Sequence, residues 1–264
     1  SSETGFSAEV QISNDVSGII KGMIHDQLRA FMAQVNANMP ELYPMMFDNN
    51  VFLPVDDYYE AVNRALNFYT ADIDTVPLTA FDTTTIKALM QSIADDNDSE
   101  FEAYFDSDFR KAQGFSAGNK LHKHFNEIKN LQNLLSTGDI TNVFAMYKVG
   151  NIVKVLEGIE DLYANNKGFN SKKEQQSATF KSFDIVDNMW QLIQQTQALQ
   201  DYFKQVNFYF TQFISRYVRT HLPKRLESQR LTTFALQLAR LNDALSGKKG
   251  QSLARYIRHQ YPIA

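Results

Sequence analysis

The basic residues of the stretch SRYVRTHLPKRLESQR, from Ser215 to Arg230, have the chemistry to bind an anion. Five of them fall within fifteen residues: Arg216, Arg219, Lys224, Arg225 and Arg230. Near the C-terminus, Arg255 and Arg258 add two more. Guanidinium and ammonium groups bind phosphate and carboxylate oxygens through charge-assisted hydrogen bonds. The sequence therefore predicts an anion-binding surface made of these seven residues.

The charge of the chain is distributed unevenly. Residues 216–264 contain ten Lys and Arg against two acidic residues, which leaves 16 basic and 28 acidic residues for the rest of the chain. Residues 41–110 contain 15 acidic and three basic residues. Such asymmetry favours binding of the basic part to an acidic protein surface or to a phosphate-bearing ligand, such as a lipid head group or RNA. Two plainer interpretations remain: a solvated face, or a surface that docks on the acidic segment of the same chain.

Two residues of this stretch, Arg216 and His221, have the Arg-x4-His spacing that resembles the HEPN family of helical ribonucleases. The resemblance covers six residues and implies that the arginine and the histidine cleave RNA at a dimer interface. The position after the arginine is usually small or polar in that family, but here it is Tyr217. In a continuous helix, residues five apart diverge by about 140° around the axis. A second subunit would therefore have to complete such a site.

Several kinds of catalytic and metal site are excluded or disfavoured by the sequence. The chain has no cysteine, which excludes disulfides, thiolate zinc sites and iron–sulfur clusters. An EF-hand loop starting at Asp95 would need glycine where Glu100 stands. His124 and Glu127 are spaced to share a metal, but no second Glu-x-x-His pair exists to complete a di-iron site. We therefore assign no catalytic residue, no metal and no cofactor.

The fold class follows from one long run of apolar residues at alternating spacings of four and three. This seam is typical of a long helix. It comprises Ile185, Met189, Leu192, Thr196, Leu199, Phe203, Val206, Phe210, Phe213 and Tyr217. We expect a helix of about 50 residues from Ser171 or Lys172 to His221, ended by Pro223. Extra apolar residues beside the seam favour an elongated, all-α multi-helix bundle over a two-stranded coil.

Further seams predict the other helices and the domain organisation. Helices are expected from about Asn14 or Asp15, from about Ser116, and over residues 145–163 and 231–245. Residues 1–38 and 116–264 would then form the bundle. Four prolines and shorter elements make residues 39–115 an acidic helical insertion or cap. The long seam also offers a homo-oligomer contact.

These observations favour a non-catalytic helical binding or interaction module that uses its C-terminal basic surface. The alternatives are an extracytoplasmic sensor or secreted effector domain that binds a small molecule or host partner, and the HEPN-like ribonuclease. No window approaches eighteen apolar residues, and no signal peptide is expected at the start of the chain. The absence of cysteine shifts the compartment slightly towards export or secretion.

Overall fold

The computed structural model describes residues 11–13, 15–67, 77–97, 99–104, 123–164, 180–247 and 250–260. The fold is all-α, as predicted, and two strands of two residues each accompany the described helices. In chain order the elements are β1 (Gln11–Ile12), α1 (Ser17–Asn38), α2 (Tyr43–Asp48), α3 (Val55–Asn67), α4 (Thr84–Asp95), α5 (Ser99–Tyr104), α6 (Glu127–Leu135), α7 (Asn142–Ala145), α8 (Ile152–Ala164), α9 (Asp184–Ser228), β2 (Leu231–Thr232), α10 (Phe234–Ser246) and α11 (Gly250–Gln260).

The chain divides into two compact units. The first unit comprises Ser1–Thr79 and Gln205–Ala264, and the second comprises Ala80–Lys204. The long helix α9 contributes residues 184–204 to the second unit and residues 205–228 to the first. The proposal that residues 39–115 form a separate insertion stays a prediction, because part of that segment lies outside the described residues.

The first unit is built around α1 and the C-terminal half of α9. The Asp15 carboxylate accepts the Ser17 N–H at 2.9 Å at the start of α1, close to the predicted helix start. Hydrogen bonds from the Ser17 side chain and backbone lower the pKa of Asp15. The predicted apolar face of α1 is buried: Ile20, Ile24, Leu28, Phe31 and Val35. Helix α1 also packs against α3.

Aromatic rings connect α9 to the rest of this core. The Phe210 ring stacks on Phe31 with centroids 5.0 Å apart and meets the edge of Tyr58 at 4.9 Å. The Tyr58 hydroxyl donates to Asn207 Oδ1 at 3.0 Å and accepts the Leu53 N–H at 3.1 Å. Burial raises the pKa of Tyr58, so its phenol stays protonated and able to donate.

The seam predicted for α9 is buried from Ile185 to Phe210, and the helix extends beyond its predicted C-terminal end. The helix begins at Asp184, and residues 171–179, where the sequence placed its start, lie outside the described residues. At the other end, Pro223 lies inside the helix, which continues to Ser228. The reason is burial: Leu222 and Leu226, on either side of the proline, are almost fully buried. Packing of these side chains outweighs the helix-breaking tendency of the proline.

The buried face of α9 also shifts within the first unit. Up to Phe210 the predicted seam residues are buried, whereas Phe213 and Tyr217 are only half-buried. The core face is taken over by residues spaced four apart: Ile214, Val218, Leu222 and Leu226. The face that carries Tyr217 therefore lies at the edge of the core.

A short parallel ladder and a helical hairpin complete the first unit. Strand β1 pairs with β2, so that Gln11 is opposite Leu231. Thr233 caps α10, since its hydroxyl oxygen accepts the Leu236 N–H at 3.2 Å. Helix α10 ends at Ser246, just before Gly247, and packs against α11.

In the second unit, α6 packs against α4, α7 and α8. Gln132 on α6 donates to the carbonyls of Ile93 and Asp96 at 3.0 and 2.8 Å, which satisfies the free carbonyl end of α4. The helix predicted over 145–163 is interrupted: α7 ends at Ala145 and α8 begins at Ile152. Gly150 has φ +44°, in the left-handed region, and this residue marks the break. None of the helices described here is both long and apolar enough to cross a bilayer.

Candidate anion-binding cleft

The last turns of α9 present one face to a cleft in the first unit. Because α9 continues past Pro223, residues on both sides of the proline share this face. Spacings of three and four place five residues within about 100° of arc. They are Tyr217, His221, Lys224, Arg225 and Ser228.

Helix α1 forms the other wall of this cleft. Met23, Asp26 and Gln27 line it, again with spacings of three and four along one helix face. The cleft has a volume of about 320 Å³. A phosphate group or a carboxylate fits within such a space.

The histidine in the cleft has a defined tautomer. His221 Nδ1 lies 2.8 Å from the Tyr217 carbonyl oxygen, and a carbonyl only accepts. Nδ1 therefore carries a proton and donates it, which leaves Nε2 as the ring nitrogen for a further partner. The imidazole also stacks on the Tyr217 ring, with centroids 4.2 Å apart. Together these contacts fix the ring orientation.

The two cations of the cleft differ from other cations of the chain. Among the residues that the structure describes, none forms a hydrogen bond or an ion pair with the side chain of Lys224 or Arg225, and both side chains are exposed. Several other cations are held by carboxylates: Lys21 by Asp56, Lys129 by Glu102, Lys154 by Glu157, Lys204 by Asp201 and Arg240 by Glu227. The donors of Lys224 and Arg225 are therefore available to a ligand.

The cleft has an excess of positive charge. Asp26 is its only carboxylate among the described lining residues, and 75% of that side chain is exposed. Asp26 lies 3.8 Å from His25 on the same helix. One solvated carboxylate against two cations leaves a site that favours an anion.

Arg219, a third predicted residue of α9, has a structural contact instead. Its Nη2 donates to the Ala65 carbonyl at 3.0 Å, in the last turn of α3. A guanidinium at this position complements the negative end of the helix. We therefore leave Arg219 out of the set that we propose to contact a ligand.

The remaining predicted basic residues are exposed but do not line the cleft. Arg216 lies on α9, Arg230 follows it, and Arg255 and Arg258 lie on α11. Arg230 has φ +55° and its carbonyl accepts the Gln11 N–H at 2.9 Å, so its backbone connects to β1. The cleft thus brings together Lys224 and Arg225, and the structure assigns no common site to the other four.

The two residues that resemble the HEPN pair lie on the same uninterrupted helix. Arg216 and His221 both belong to α9, and His221 lines the cleft while Arg216 does not. Five positions on one helix separate them by about 140° around its axis. A nuclease site that uses both would need a second chain, and this hypothesis stays a prediction.

A second cavity, of about 540 Å³, lies in the second unit. Aromatic, amide and acidic side chains line it. They include Tyr147, Glu160, Trp190, Gln194, Gln197 and Asp201. Lys and Arg are absent from its described lining. The sequence did not predict this cavity.

Aromatic stacking positions Trp190, one of the residues that line the second cavity. Trp190 stacks on Tyr163 with centroids 5.0 Å apart, and Lys181 lies over the Tyr163 ring at 4.8 Å. Burial, followed by the negative charge of Glu160, raises the pKa of Tyr147 to about 12. The Tyr147 phenol and the Glu160 carboxylate both line this cavity.

Sequence patterns could have found one wall of the cleft but not the other. The spacing of Tyr217, His221, Lys224 and Arg225 is visible once Pro223 is allowed inside the helix. Nothing in the sequence pairs this face with Met23 and Asp26 of α1, since the two segments are about 200 residues apart.

Comparisons with known proteins add no further assignment. No family model matches the chain, and neither a curated protein nor a solved structure shows significant similarity to it.

Proposed function

We propose that this chain is a non-catalytic helical binding module that contacts an anionic partner through the cleft and the exposed basic residues of its C-terminal part. The observation that carries the proposal is the availability of Lys224 and Arg225 in a cleft with one solvated carboxylate. A single unpaired cation on a protein surface is common, because a charge in water gains little from pairing. Two of them beside a fixed histidine, in a concave site, make a binding surface for phosphate or carboxylate oxygens.

The hydrogen bonds of the cleft also favour binding over catalysis. Ser228 is a candidate nucleophile in the cleft, but its hydroxyl donates to the Arg225 carbonyl at 2.7 Å. The His221 Nδ1 proton is likewise directed to the Tyr217 carbonyl. Activation of a serine requires its hydroxyl to hydrogen bond to a base. This arrangement instead leaves the serine and the histidine each bonded to its own helix backbone.

The first test removes the two cations of the cleft. We expect Lys224→Ala combined with Arg225→Ala to weaken binding to an anionic ligand at low salt by roughly 30-fold, because each cation near an anionic surface contributes about 1 kcal/mol. Binding to phosphatidylserine vesicles and to poly(U) RNA would be measured at low and high salt. The parent chain should bind at least one of them, with an affinity that falls as salt rises.

A matched double variant separates the cleft from the net charge of the chain. Lys129→Ala combined with Lys204→Ala removes the same two charges from exposed positions outside the cleft. We expect this variant to bind within about threefold of the parent. Equal weakening by both double variants would contradict a role for the cleft. Absence of binding to vesicles and RNA at low salt would contradict the proposal as a whole.

The second cavity favours a second candidate function: a sensor or effector domain that binds a small molecule. An indole, a phenol and the carboxylates of Glu160 and Asp201 suit an organic cation, which aromatic faces and carboxylates attract. Asp201 already pairs with Lys204 at 2.7 Å, so Glu160 is the principal anionic group.

Trp190 provides the test of this candidate, because it is the only tryptophan of the chain. We expect choline to change its fluorescence saturably, and the neutral isostere 3,3-dimethylbutan-1-ol to have no such effect. Glu160→Gln should weaken choline binding by roughly fivefold. Glu157→Gln, on the same helix but outside the cavity lining, is the matched control. Identical responses to the two compounds would refute an organic-cation site.

A further inference from the structure

Helix α10 exposes three of its large apolar side chains. Phe234, Leu238 and Leu245 have exposed fractions of 65%, 51% and 37%. At 100° per residue they lie within about 40° of arc, so they form one apolar stripe. A helix of a water-soluble domain normally turns such a stripe towards the core.

The opposite face of α10 makes the contacts with the rest of the unit. Leu236 is buried, and Arg240 forms an ion pair with Glu227 near the end of α9. Leu236 is about 180° and Arg240 about 140° away from the centre of the stripe. The orientation of α10 is therefore fixed by its other face, and the stripe is left at the surface.

The helix that follows α10 carries exposed cations. Helix α11 packs against α10 and exposes Arg255 and Arg258. Along the sequence, residues 234–264 contain five Lys and Arg and one acidic residue, Asp243. An exposed apolar stripe together with cations is the combination that binds at the interface of an anionic bilayer, where apolar side chains enter the acyl boundary and cations meet the head groups.

We propose that the hairpin of α10 and α11 binds peripherally to an anionic phospholipid membrane, with Phe234, Leu238 and Leu245 inserted at the interface. This inference rests on the proposed function, because it names the anionic partner as lipid.

Two other occupants fit the stripe less well. A second copy paired about a two-fold axis would place the same cations of both copies near each other, which costs electrostatic energy. RNA binds aromatic side chains through base stacking. Phe234 could stack on a base, but the aliphatic Leu238 and Leu245 have no such role.

The experiment places a fluorescent reporter in the stripe. Phe234→Trp is made in a Trp190→Phe background, so that the signal comes from residue 234 alone. Vesicles of phosphatidylcholine, with and without phosphatidylserine, are compared using brominated acyl chains as quenchers. We expect a blue shift and quenching with the anionic vesicles and little of either with phosphatidylcholine alone. Phe208→Trp in the same background is the control, since Phe208 is 59% exposed on α9, outside the stripe.

A second measurement separates this inference from the proposed function. We expect Leu238→Ser combined with Leu245→Ser to reduce sedimentation with phosphatidylserine vesicles at least about tenfold, and to leave poly(U) binding unchanged. Val149→Ser, at an exposed apolar position outside α10, should have no effect. All these side chains are at least partly exposed, so the variants should fold.

The outcomes are distinct. If the fluorescence of the Phe234→Trp variant is not quenched, or if the serine variant retains vesicle binding, the membrane inference is overturned while anion binding by the cleft stands. A dimer that the serine substitutions dissociate, or binding to RNA alone, also overturns it. Failure of the parent chain to bind vesicles and RNA overturns the proposed function itself.

Discussion

Phe210→Ala is expected to lower the free energy of unfolding by about 3–5 kcal/mol. Phe210 is fully buried, and its ring contacts Phe31 and Tyr58 with centroids 5.0 and 4.9 Å apart. Truncation removes both ring contacts and opens a cavity between α1, α3 and α9. The Tyr58 side chain, whose hydroxyl donates to Asn207 on α9, would lose the Phe210 ring that holds it in position. Urea denaturation followed by circular dichroism measures the loss.

Phe208→Ala is the matched control, two residues earlier on the same helix. Phe208 is 59% exposed, so its removal forfeits little burial, and alanine is the better helix former. We expect a change of no more than about 0.5 kcal/mol, in either direction. Equal destabilisation by the two substitutions would contradict the assignment of Phe210 to the buried face of α9.

Pro223→Ala is expected to stabilise the first unit, by about 1–3 kcal/mol. Pro223 lies inside α9, where it has no N–H to donate to the Arg219 carbonyl and its ring crowds that carbonyl. Alanine restores the donor and relieves the crowding. The gain should appear as a higher midpoint of urea denaturation, with helical content unchanged or slightly increased.

Pro54→Ala is expected to destabilise the chain, in contrast to Pro223→Ala. Pro54 immediately precedes α3, where a missing N–H costs nothing, and its carbonyl accepts the Tyr58 N–H at 3.4 Å. Its replacement by alanine mainly raises the conformational entropy of the unfolded chain. We therefore expect the free energy of unfolding to fall by about 0.4–1 kcal/mol. If Pro223→Ala also destabilised the chain, the proline would be needed to shape the end of α9. The residues of the cleft lie on that part of the helix, so their arrangement would depend on the proline.

The sequence predicted the helices well where one face is buried along its whole length. The seam from Ile185 to Phe210 and the apolar face of α1 are both buried as expected. Such patterns report burial directly, because each position of the repeat faces the same neighbours. The end of α9 was mispredicted because the local preference of Pro223 competes with the burial of Leu222 and Leu226, which local rules do not weigh.

The spacing of α10 predicted a helix but not the fate of its apolar face. Phe234, Leu238 and Leu245 have the pattern of a core helix, and they are exposed. The orientation of α10 depends on the contact of Arg240 with Glu227 and on the burial of Leu236, and periodicity reveals neither contact. For the same reason the cleft could be predicted only in part: Lys224 and Arg225 were identified, but their partner wall on α1 depends on long-range packing.

The β1–β2 ladder affects the order in which the chain can fold during synthesis. Gln11 pairs with Leu231, which leaves the ribosome 220 residues later. At typical elongation rates that delay is on the order of 10–40 s. The second unit is contiguous in the chain, from Ala80 to Lys204, and all its residues are made before the first unit can close. Nascent α1 can pack against α3 early, but its contacts with α9 must wait for the last quarter of the chain, and we expect chaperones to bind the uncovered part of its apolar face during that interval.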